Sequence, residues 1–470
     1  MKDVLSRREL IASGVIGATG IGSAGYGYRS DKSGSRVGVL RQAARDIGVS
    51  ASADVVVCGG GPAGVAAALA AARSGARTQL IESNGCLGGV WTAGLLCWIL
   101  DTKDKPGLLQ EILSGLEESG AGYVNKRGYS FGYDVEAMKL LLERMCIEAG
   151  VEIRLHTQVV SAAKDEGNAL TLAVTESKSG PEAWAGKVFI DATGDGDLAA
   201  RAGCGFDMGR AEDGVTQPMS MMAVLTGVRH DDIRQFVRGR ESDSSIPKKR
   251  LLAEMQRAGV DPSYSKPTLF RIYNDLFCLA ANHEYGYKAT DAGDITSATI
   301  HARVEINRIV GALRGLGGAW AGLRLVATNE HIGIREGRRI HGHYTVSADD
   351  LTKGARHEDA VCRTYFTVDV HSPSKSEGKG IARTGVRARP YEIPLRALIA
   401  RDVDGLMMAG RCISGDFIAH SSYRVTGNSV ALGQAAGVTA ALAAKEGCAP
   451  HRVPWSEVSS AIGKLNGRKA

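Results

Sequence analysis

The stretch from Asp54 to Glu82 limits what this chain can fold into more than any other part of it. Asp54-Val55-Val56-Val57-Cys58 is a short β-branched run with the composition of a buried strand, and it stops at Gly59-Gly60-Gly61-Pro62-Ala63-Gly64. Val65 to Ser74 is alanine-rich and helical in composition. Arg77-Thr78-Gln79-Leu80-Ile81-Glu82 then forms a second strand that ends in an acid. Strand, G-x-G-x-x-G, helix, strand, acid is the order of a dinucleotide-binding unit. Gly59 allows the tight turn, Gly61 lets backbone approach a pyrophosphate, and Gly64 permits close packing of helix on strand. The helix start at Pro62 and Ala63 offers N–H groups to phosphate oxygens, and Glu82 with Ser83 faces a ribose.

The residues that follow choose between dinucleotides. A second glycine loop, Cys86-Leu87-Gly88-Gly89-Val90-Trp91-Thr92-Ala93-Gly94, comes directly after the acid. A bound NAD needs no such loop, whereas the ribityl chain and ring of an extended FAD pass backbone at close range. Gly186 to Ile190 is a further apolar strand leading to Asp191-Ala192-Thr193-Gly194-Asp195. Gly405 to Arg411 repeats that design, and Gly427-Asn428-Ser429 opens a long Ala/Gly-rich helix reaching about Lys445. The start of that helix suits the N1/C2 side of a flavin. FAD is therefore the expected cofactor.

These segments together resemble the FAD-dependent oxidoreductases of the glutathione-reductase-type fold, over roughly Asp54 to Ala444. Within that superfamily the chain is similar to the group in which E-x-x-x-x-L-G-G-x-x-T-A-G follows the fingerprint, here Glu82 to Gly94. The resemblance implies that Thr92, Gly88-Gly89, Thr193-Gly194-Asp195 and Gly410-Arg411 line the cofactor, and that a mid-chain β hairpin near Val159 reaches the adenine. Arg411 stands where a Gly-Asp pair is common in such proteins. The expected fold class is α/β: a Rossmann-like FAD-binding domain, a parallel sheet with a β hairpin or meander, and an inserted α+β substrate or cap domain. The expected divisions are an export signal over 1–30, a linker over 31–51, FAD-binding parts over 52–196 and 391–446, a substrate region over 197–390, and a C-terminal tail over 447–470.

Outside these motifs the sequence mostly excludes. Sixty glycines without a Gly-X-Y period, and only twelve prolines, fit neither collagen nor a Pro-rich linker. A net charge of +6 in 470 residues, with no basic run interleaved with aromatics, gives no nucleic-acid tract. Nine cysteines without C-x-x-C argue against a zinc knuckle, an iron–sulfur cluster and a dithiol pair. Gly315-Leu316-Gly317-Gly318 follows no apolar strand, so a separate NAD(P)H domain is not expected. Ser6-Arg7-Arg8 ahead of a Gly/Ala-rich stretch to about Ala24 resembles a twin-arginine export signal, implying a periplasmic or otherwise exported protein without a stable membrane span. A short helix is expected at Val39–Asp46.

The chemistry candidates fall in two clusters. Glu330 to Tyr344 alternates as a strand does, placing Arg335, Gly337 and Arg339 on one face, and either arginine can clamp a carboxylate. Solvated ion pairing with Glu336 is the plainer alternative. His331, His341 and His343 in the same stretch lack the carboxylate pattern of a metal site, and no metal is expected. His420-Ser421-Ser422-Tyr423-Arg424 precedes the helix expected at the flavin. His420 or Tyr423 is the candidate general base and Arg424 a substrate or flavin contact, with loop capping as the alternative. Cys86 or Cys97 could bond the flavin covalently, though a buried small apolar cysteine is the commoner case. The expected activity is hydride transfer from a small organic substrate to flavin N5, with electrons passing to a quinone, a cytochrome-like carrier or oxygen. The alternatives are a monooxygenase, an ene-type reductase, or a non-catalytic flavoprotein.

Overall fold

The computed structural model describes residues 44, 46–124, 130–238 and 245–467, and the backbone of two short strands at Tyr26–Arg29 and Val39–Gln42. The chain divides into two units, Met1–Gly48 and Val49–Ala470. In the first, the helix expected at Val39–Asp46 is instead a strand over Val39–Gln42, paired antiparallel with Tyr26–Arg29. Eight residues are too few for a helix to form without packing, whereas a hairpin partner satisfies the backbone at once. The expected export signal at 1–30 lies, apart from Tyr26–Arg29, outside the described residues.

The second unit is built on the predicted strand–turn–helix–strand. β1 (Val49–Cys58), α1 (Pro62–Arg73) and β2 (Thr78–Ile81) are followed by α2 (Val135–Glu148) and β3 (Glu152–Arg154). Next come the meander β4 (Gln158–Lys164), β5 (Leu170–Ser177) and β6 (Gly180–Asp191). The sheet runs β3-β2-β1-β6-β5-β4. β3, β2, β1 and β6 are mutually parallel, and the β6-β5-β4 end is antiparallel. β1 begins at Val49, inside the stretch expected as linker, because Val49–Ala53 pairs with Ala183–Gly186 on the long hairpin arm of β6. Val55, Val56 and Val57 have no exposed surface, as expected of a strand covered on both faces.

The inserted region, expected to take the substrate, has its own sheet and its own core. β7 (Met222–Thr226), β8 (Val237–Arg238), β9 (Thr268–Arg271), β10 (Phe277–Ala280) and, after the helix α3 (Ala292–Gly315), β11 (Arg324–Thr328) associate in the order β8-β9-β10-β7-β11. α3 buries Ala298, Ala302, Ile306, Ile309 and Leu313, a helical-period stripe, alongside Met219, Met221, Leu225, Phe277 and Leu279. Met219, Met221 and Met222, three closely spaced methionines, belong to core.

The chain then returns to the first sheet. β12 (Leu406–Met408) extends it in parallel beside the C-terminal half of β6. α4 (Phe417–Tyr423) leads into α5 (Thr426–Glu446), which lies against α1 so closely that a methyl group on Gly433 would stand 2.0 Å from the Ala63 carbonyl oxygen. The expected C-terminal tail contains a helix, Trp455–Asn466, which buries Val458 and Leu465 and accepts a hydrogen bond from Gln434 of α5 at Asn466 (2.8 Å). The architecture is α/β: a Rossmann-like parallel sheet with an antiparallel meander, carrying an inserted α+β region. Among the described residues no helix is long and apolar enough to cross a membrane.

Candidate active site

Three of the glycine segments expected at the cofactor, Gly59 to Gly64, Gly88-Gly89 and Gly410, converge with the start of the long helix. Gly61 caps α1 without a side chain and Pro62 occupies the first turn, so the helix start carries no internal acceptor for its free N–H groups. Gly88 N–H donates to the Gly60 carbonyl at 2.8 Å. A methyl group on Gly89 would stand 3.0 Å from Gly61 Cα, and one on Gly410 would stand 3.0 Å from Ala63 Cβ and 4.0 Å from Ser429 Oγ. Gly410 therefore lies between the starts of α1 and α5, and α5 likewise has no side-chain cap and no acid in its first turn. A methyl group on Gly61 itself would meet nothing within 4 Å. Two uncapped helix starts beside bare backbone fit a diphosphate and a flavin carbonyl.

Around this cradle the other expected cofactor residues hold its shape. Glu82 is 4% exposed. It accepts hydrogen bonds from Gly60 N–H (2.5 Å), Asn84 N–H (2.7 Å) and Ser83 Oγ (3.1 Å). Thr157 N–H donates to the Glu82 carbonyl at 2.9 Å, which sets buried Val159, at the start of β4, near the acid. Thr92 is buried and donates to the Leu87 carbonyl (2.5 Å), closing the second loop that ends at Gly94. Thr193 bonds Asp191 through its N–H and its hydroxyl (3.0 and 2.7 Å). Burial pushes the Asp191 carboxyl up to about 6 against those bonds. Arg411 donates to Asp195 at 2.9 Å, and its guanidinium covers Gly194. The Thr193-Gly194-Asp195 and Gly410-Arg411 segments are thereby tied together. Gly427 packs on the main chain of Leu100 and Asp101, and the Asn428 amide oxygen accepts the Cys362 thiol at 3.5 Å. Cys97 is buried and its thiol is held well above its usual range, while half-buried Cys86 points at Thr92 Oγ1 (3.6 Å).

The stretch Glu330–Tyr344 is not the strand expected. Only Arg339–Ile340 pairs, with Phe206–Asp207, and isolated bridges join Gly333 to Ser220 and Gly342 to Ala400. Each charged side chain finds a different segment, and the backbone turns to follow. Arg339 is buried. It pairs with Glu336 and donates to the carbonyls of Gly415 (3.0 Å) and Gly209 (2.9 Å), so its fork is spent on structure. Arg338 pairs with Asp197 at 2.9 Å. Arg335 donates one nitrogen to Pro218 O (2.6 Å) and Ser220 Oγ (2.8 Å). Burial, with Arg424 beside it, pushes the Arg335 guanidinium down to about 10. His341 lies 3.4 Å from Asp207 and His343 packs on His451. His331 N–H reaches Ala93 O at 3.4 Å, and its ring, lowered mainly by burial, senses Asp195, Arg411 and Glu82, three of the residues expected at the cofactor.

The second cluster also divides. The Tyr423 hydroxyl donates to the Ile413 carbonyl at 3.0 Å, and burial holds it well above the usual phenol range. His420 has no exposed surface, and burial with Arg339, Arg424 and Arg411 nearby keeps its ring neutral, far below the usual histidine range. Both are poorly suited to take a proton. Arg424 is different. Its Nη2 donates to Asp369 O (2.9 Å) and Gln217 Oε1 (3.3 Å) and lies 3.7 Å from the Asp369 carboxylate, while its buried Nε has no partner among the described residues.

Arg424 and Arg335 share a polar cluster that local sequence patterns do not single out. It contains Asp369, His371, His283 and Tyr285, with the Tyr264 ring 4.2 Å from that of His283. Asp369 is held well below the usual carboxylate range, against its burial, by His371, Arg424 and Arg335. The only sequence signals are Asp369-x-His371 and His283-x-Tyr285, pairs at strand spacing that share a face but lie 88 positions apart at the His283–His371 contact. Pairing off Arg339 with Glu336 and Arg411 with Asp195 leaves two guanidiniums, Arg335 and Arg424, to one carboxylate, Asp369.

A family model described as FAD dependent oxidoreductase matches residues 54–462. No curated protein matches the chain. Among solved structures it is similar to a geranylgeranyl bacteriochlorophyll reductase-like protein from Thermoplasma acidophilum, at 13% identity over 88% of this chain and 82% of that one, with a TM-score of 0.41. The myxobacterial chondrochloren halogenase CndH is similar at 11% identity over 88% and 79%, TM-score 0.42. BexE, studied for oxidation in BE-7585A biosynthesis, is similar at 12% identity over 88% and 66%, TM-score 0.46. The family match spans well over half of the chain and includes the whole glycine cradle. This protein therefore belongs to the FAD-dependent oxidoreductase family, an enzyme whose cofactor is FAD.

Proposed function

We propose that this protein is an exported dehydrogenase of the glutathione-reductase-type FAD fold that oxidises a small organic anion and hands the electrons to an external acceptor. The observation that carries this reading is the surplus guanidinium. Arg335 and Arg424 face one carboxylate, and Arg424 ends the turn leading straight into α5, whose uncapped start adjoins Gly410. A buried cluster one negative charge short is completed by a carboxylate or a similar anion. Gly59 to Gly64 hold the diphosphate, Glu82 and Ser83 the ribose, and Gly88, Gly89, Gly410, Arg411 and Gly427 to Ser429 the flavin end. Bound FAD supplies the hydride acceptor, its N5. Arg335 and Arg424 orient the substrate by its anionic group, His331 lines the flavin side, and Gln217, His420, Tyr423 and Arg339 hold the loops that carry these groups. The acceptor is a quinone, a cytochrome-like carrier or oxygen.

The test is an anaerobic screen of the yellow, purified protein against hydroxy acids, amino acids, amines and sugars, read as loss of flavin absorbance. Bleaching by anionic donors without nicotinamide is the expected result. Reduction by NADPH alone, followed by oxygen insertion, would place the enzyme among the monooxygenases instead. Export rests on Arg7-Arg8. Residues 1–50 fused to a fluorescent reporter should send it across the bacterial inner membrane, and Arg7→Lys with Arg8→Lys should retain it inside.

A further inference from the structure

Four side chains from two separate segments of the substrate region form a single hydrogen-bonded line. Asp369 Oδ2 lies 3.3 Å from His371 Nε2, and His371 Nδ1 lies 3.0 Å from His283 Nε2. His283 Nδ1 lies 3.1 Å from the Tyr285 hydroxyl, which is 3.0 Å from the Ser263 carbonyl. Both rings are engaged at both nitrogens. His283 is 1% and His371 7% exposed, whereas Tyr285 is half-buried beside exposed Gly286. One end of the line therefore meets Arg335 and Arg424, and the other approaches solvent.

Counting donors leaves two arrangements. In the first, Tyr285 donates to Ser263, so His283 Nδ1–H must donate to the tyrosine oxygen. His283 Nε2 then accepts His371 Nδ1–H, and His371 Nε2 is a bare lone pair beside Asp369. In the second, Tyr285 donates to His283 Nδ1, His283 Nε2–H donates to His371 Nδ1, and His371 Nε2–H donates to Asp369. Both hold the same number of protons. Passing from the first to the second takes one proton in at His371 Nε2 and lets one out at Tyr285.

We propose that Asp369, His371, His283 and Tyr285 are the proton relay of the oxidation, with His371 Nε2 as the base that takes the substrate's hydroxyl or amine proton. A bond forms from that proton to His371 Nε2, and the His371 Nδ1 proton passes to His283 Nε2. The His283 Nδ1 proton passes to the Tyr285 oxygen, and the tyrosine's own proton leaves to water. The electron pair of the substrate C–H bond goes with the hydride to bound FAD, so the relay moves one proton and no electrons. When a quinone or oxygen takes up a proton with the electrons, the line runs in reverse and is reset.

The surroundings favour passage over storage. Asp369 steadies a proton arriving on His371, while Arg335 and Arg424 oppose its staying, and burial holds His371 down to about 3. Tyr264 covers both rings, at 4.2 Å from His283 and 5.6 Å from His371. At the far end burial, with Glu305 and Glu284 adding to it, pushes the Tyr285 hydroxyl up to about 12, so the tyrosine takes the His283 proton as it gives up its own and does not stand as a phenolate.

This inference rests on the dehydrogenase reading for its proton source, but its first test needs no substrate. The full chain with FAD bound, labelled with [15N]histidine, gives the tautomer of each ring by long-range proton–nitrogen correlation, with His283→Gln and His371→Gln assigning the signals. His283 and His371 should share one tautomer in the native protein and again in Asp369→Asn. Unlike tautomers in either protein overturn the relay, whatever the donor screen finds, and a failed screen overturns the dehydrogenase alone. With a donor in hand, His283→Ala should slow bleaching by about a hundredfold at little-changed KM, and added imidazole should restore much of the rate. A raised KM with no rescue by imidazole overturns it.

Discussion

At the residue scale, what separates the arginines proposed to bind substrate from the structural ones is how much of each fork is already spent. Arg339 has all three of its nitrogens engaged by Glu336, Gly415 and Gly209. Arg424 keeps an unpartnered Nε, and Arg335 makes its side-chain bonds through one terminal nitrogen. Lysine keeps the charge and loses the planar fork. Arg424→Lys should therefore raise KM for an anionic donor by about tenfold or more, the cost of one charge-assisted hydrogen bond of about 1.5–3 kcal/mol, with kcat less affected. An unchanged KM in steady-state assays would take Arg424 out of substrate binding. Tyr423 gives the opposite expectation. Its hydroxyl serves the Ile413 carbonyl, so Tyr423→Phe should cost about 0.5–1.5 kcal/mol in thermal unfolding and leave turnover intact. Both residues were legible as candidates from the sequence. Their different states were not, because which carbonyl or carboxylate fills a side chain depends on contacts such as Arg424 to Gln217, 207 positions away.

At the element scale, the strands and helices of the glycine cradle were legible because their signals are local. A β-branched run, a glycine turn and a small-residue helix each act within a dozen residues, and β1, α1, β2, β12 and α5 appear where those patterns place them. The stretch 330–344 was misread because alternation alone cannot tell a ladder from a loop whose arginines each bond a different segment. The C-terminal helix was missed because its burial depends on α5, a partner that spacing within 447–470 does not reveal. The α1–α5 contact carries a prediction of its own. Gly433→Val would drive methyl groups into the Ala63 carbonyl, already 2.0 Å from a single added carbon. The helices must part, at a cost of about 1–3 kcal/mol or more. Because Ala63 and Ser429 flank Gly410 in the proposed cofactor cradle, the parted helices should also release FAD. Gel filtration of Gly433→Val should separate yellow colour from protein, while Gly463→Ala, on the C-terminal helix with open space around it, should keep its flavin.

At the scale of the whole molecule, the buried histidines set how the protein responds to acid. His371 is held to about 3, and His283 and His420 are lowered further still, in each case chiefly by burial with arginines adding to it. Unfolded, each ring takes a proton near pH 6.5, so below that value the unfolded chain binds protons that the folded one refuses. Stability contributed by neutral histidine is complete above 6.5 and is lost as pH falls towards 3. Asp191, raised to about 6, acts in the opposite sense, since its buried carboxylate is relieved by protonation between 6 and 3.8. Glu284 and Glu336, also raised by burial, act in the same direction as Asp191. Against Asp191 the histidines prevail, because the His371 shift, from 6.5 to about 3, is the larger and begins at a higher pH. The melting temperature of the FAD-bound protein should thus hold between pH 7 and 8 and fall steeply from pH 6.5 to 5. His420→Met, which removes one buried titrating ring without entering the proton line, should flatten that fall. A melting temperature level down to pH 5 would mean that acid reaches these rings without unfolding the protein, and that the cluster around Arg335 and Arg424 is open to water.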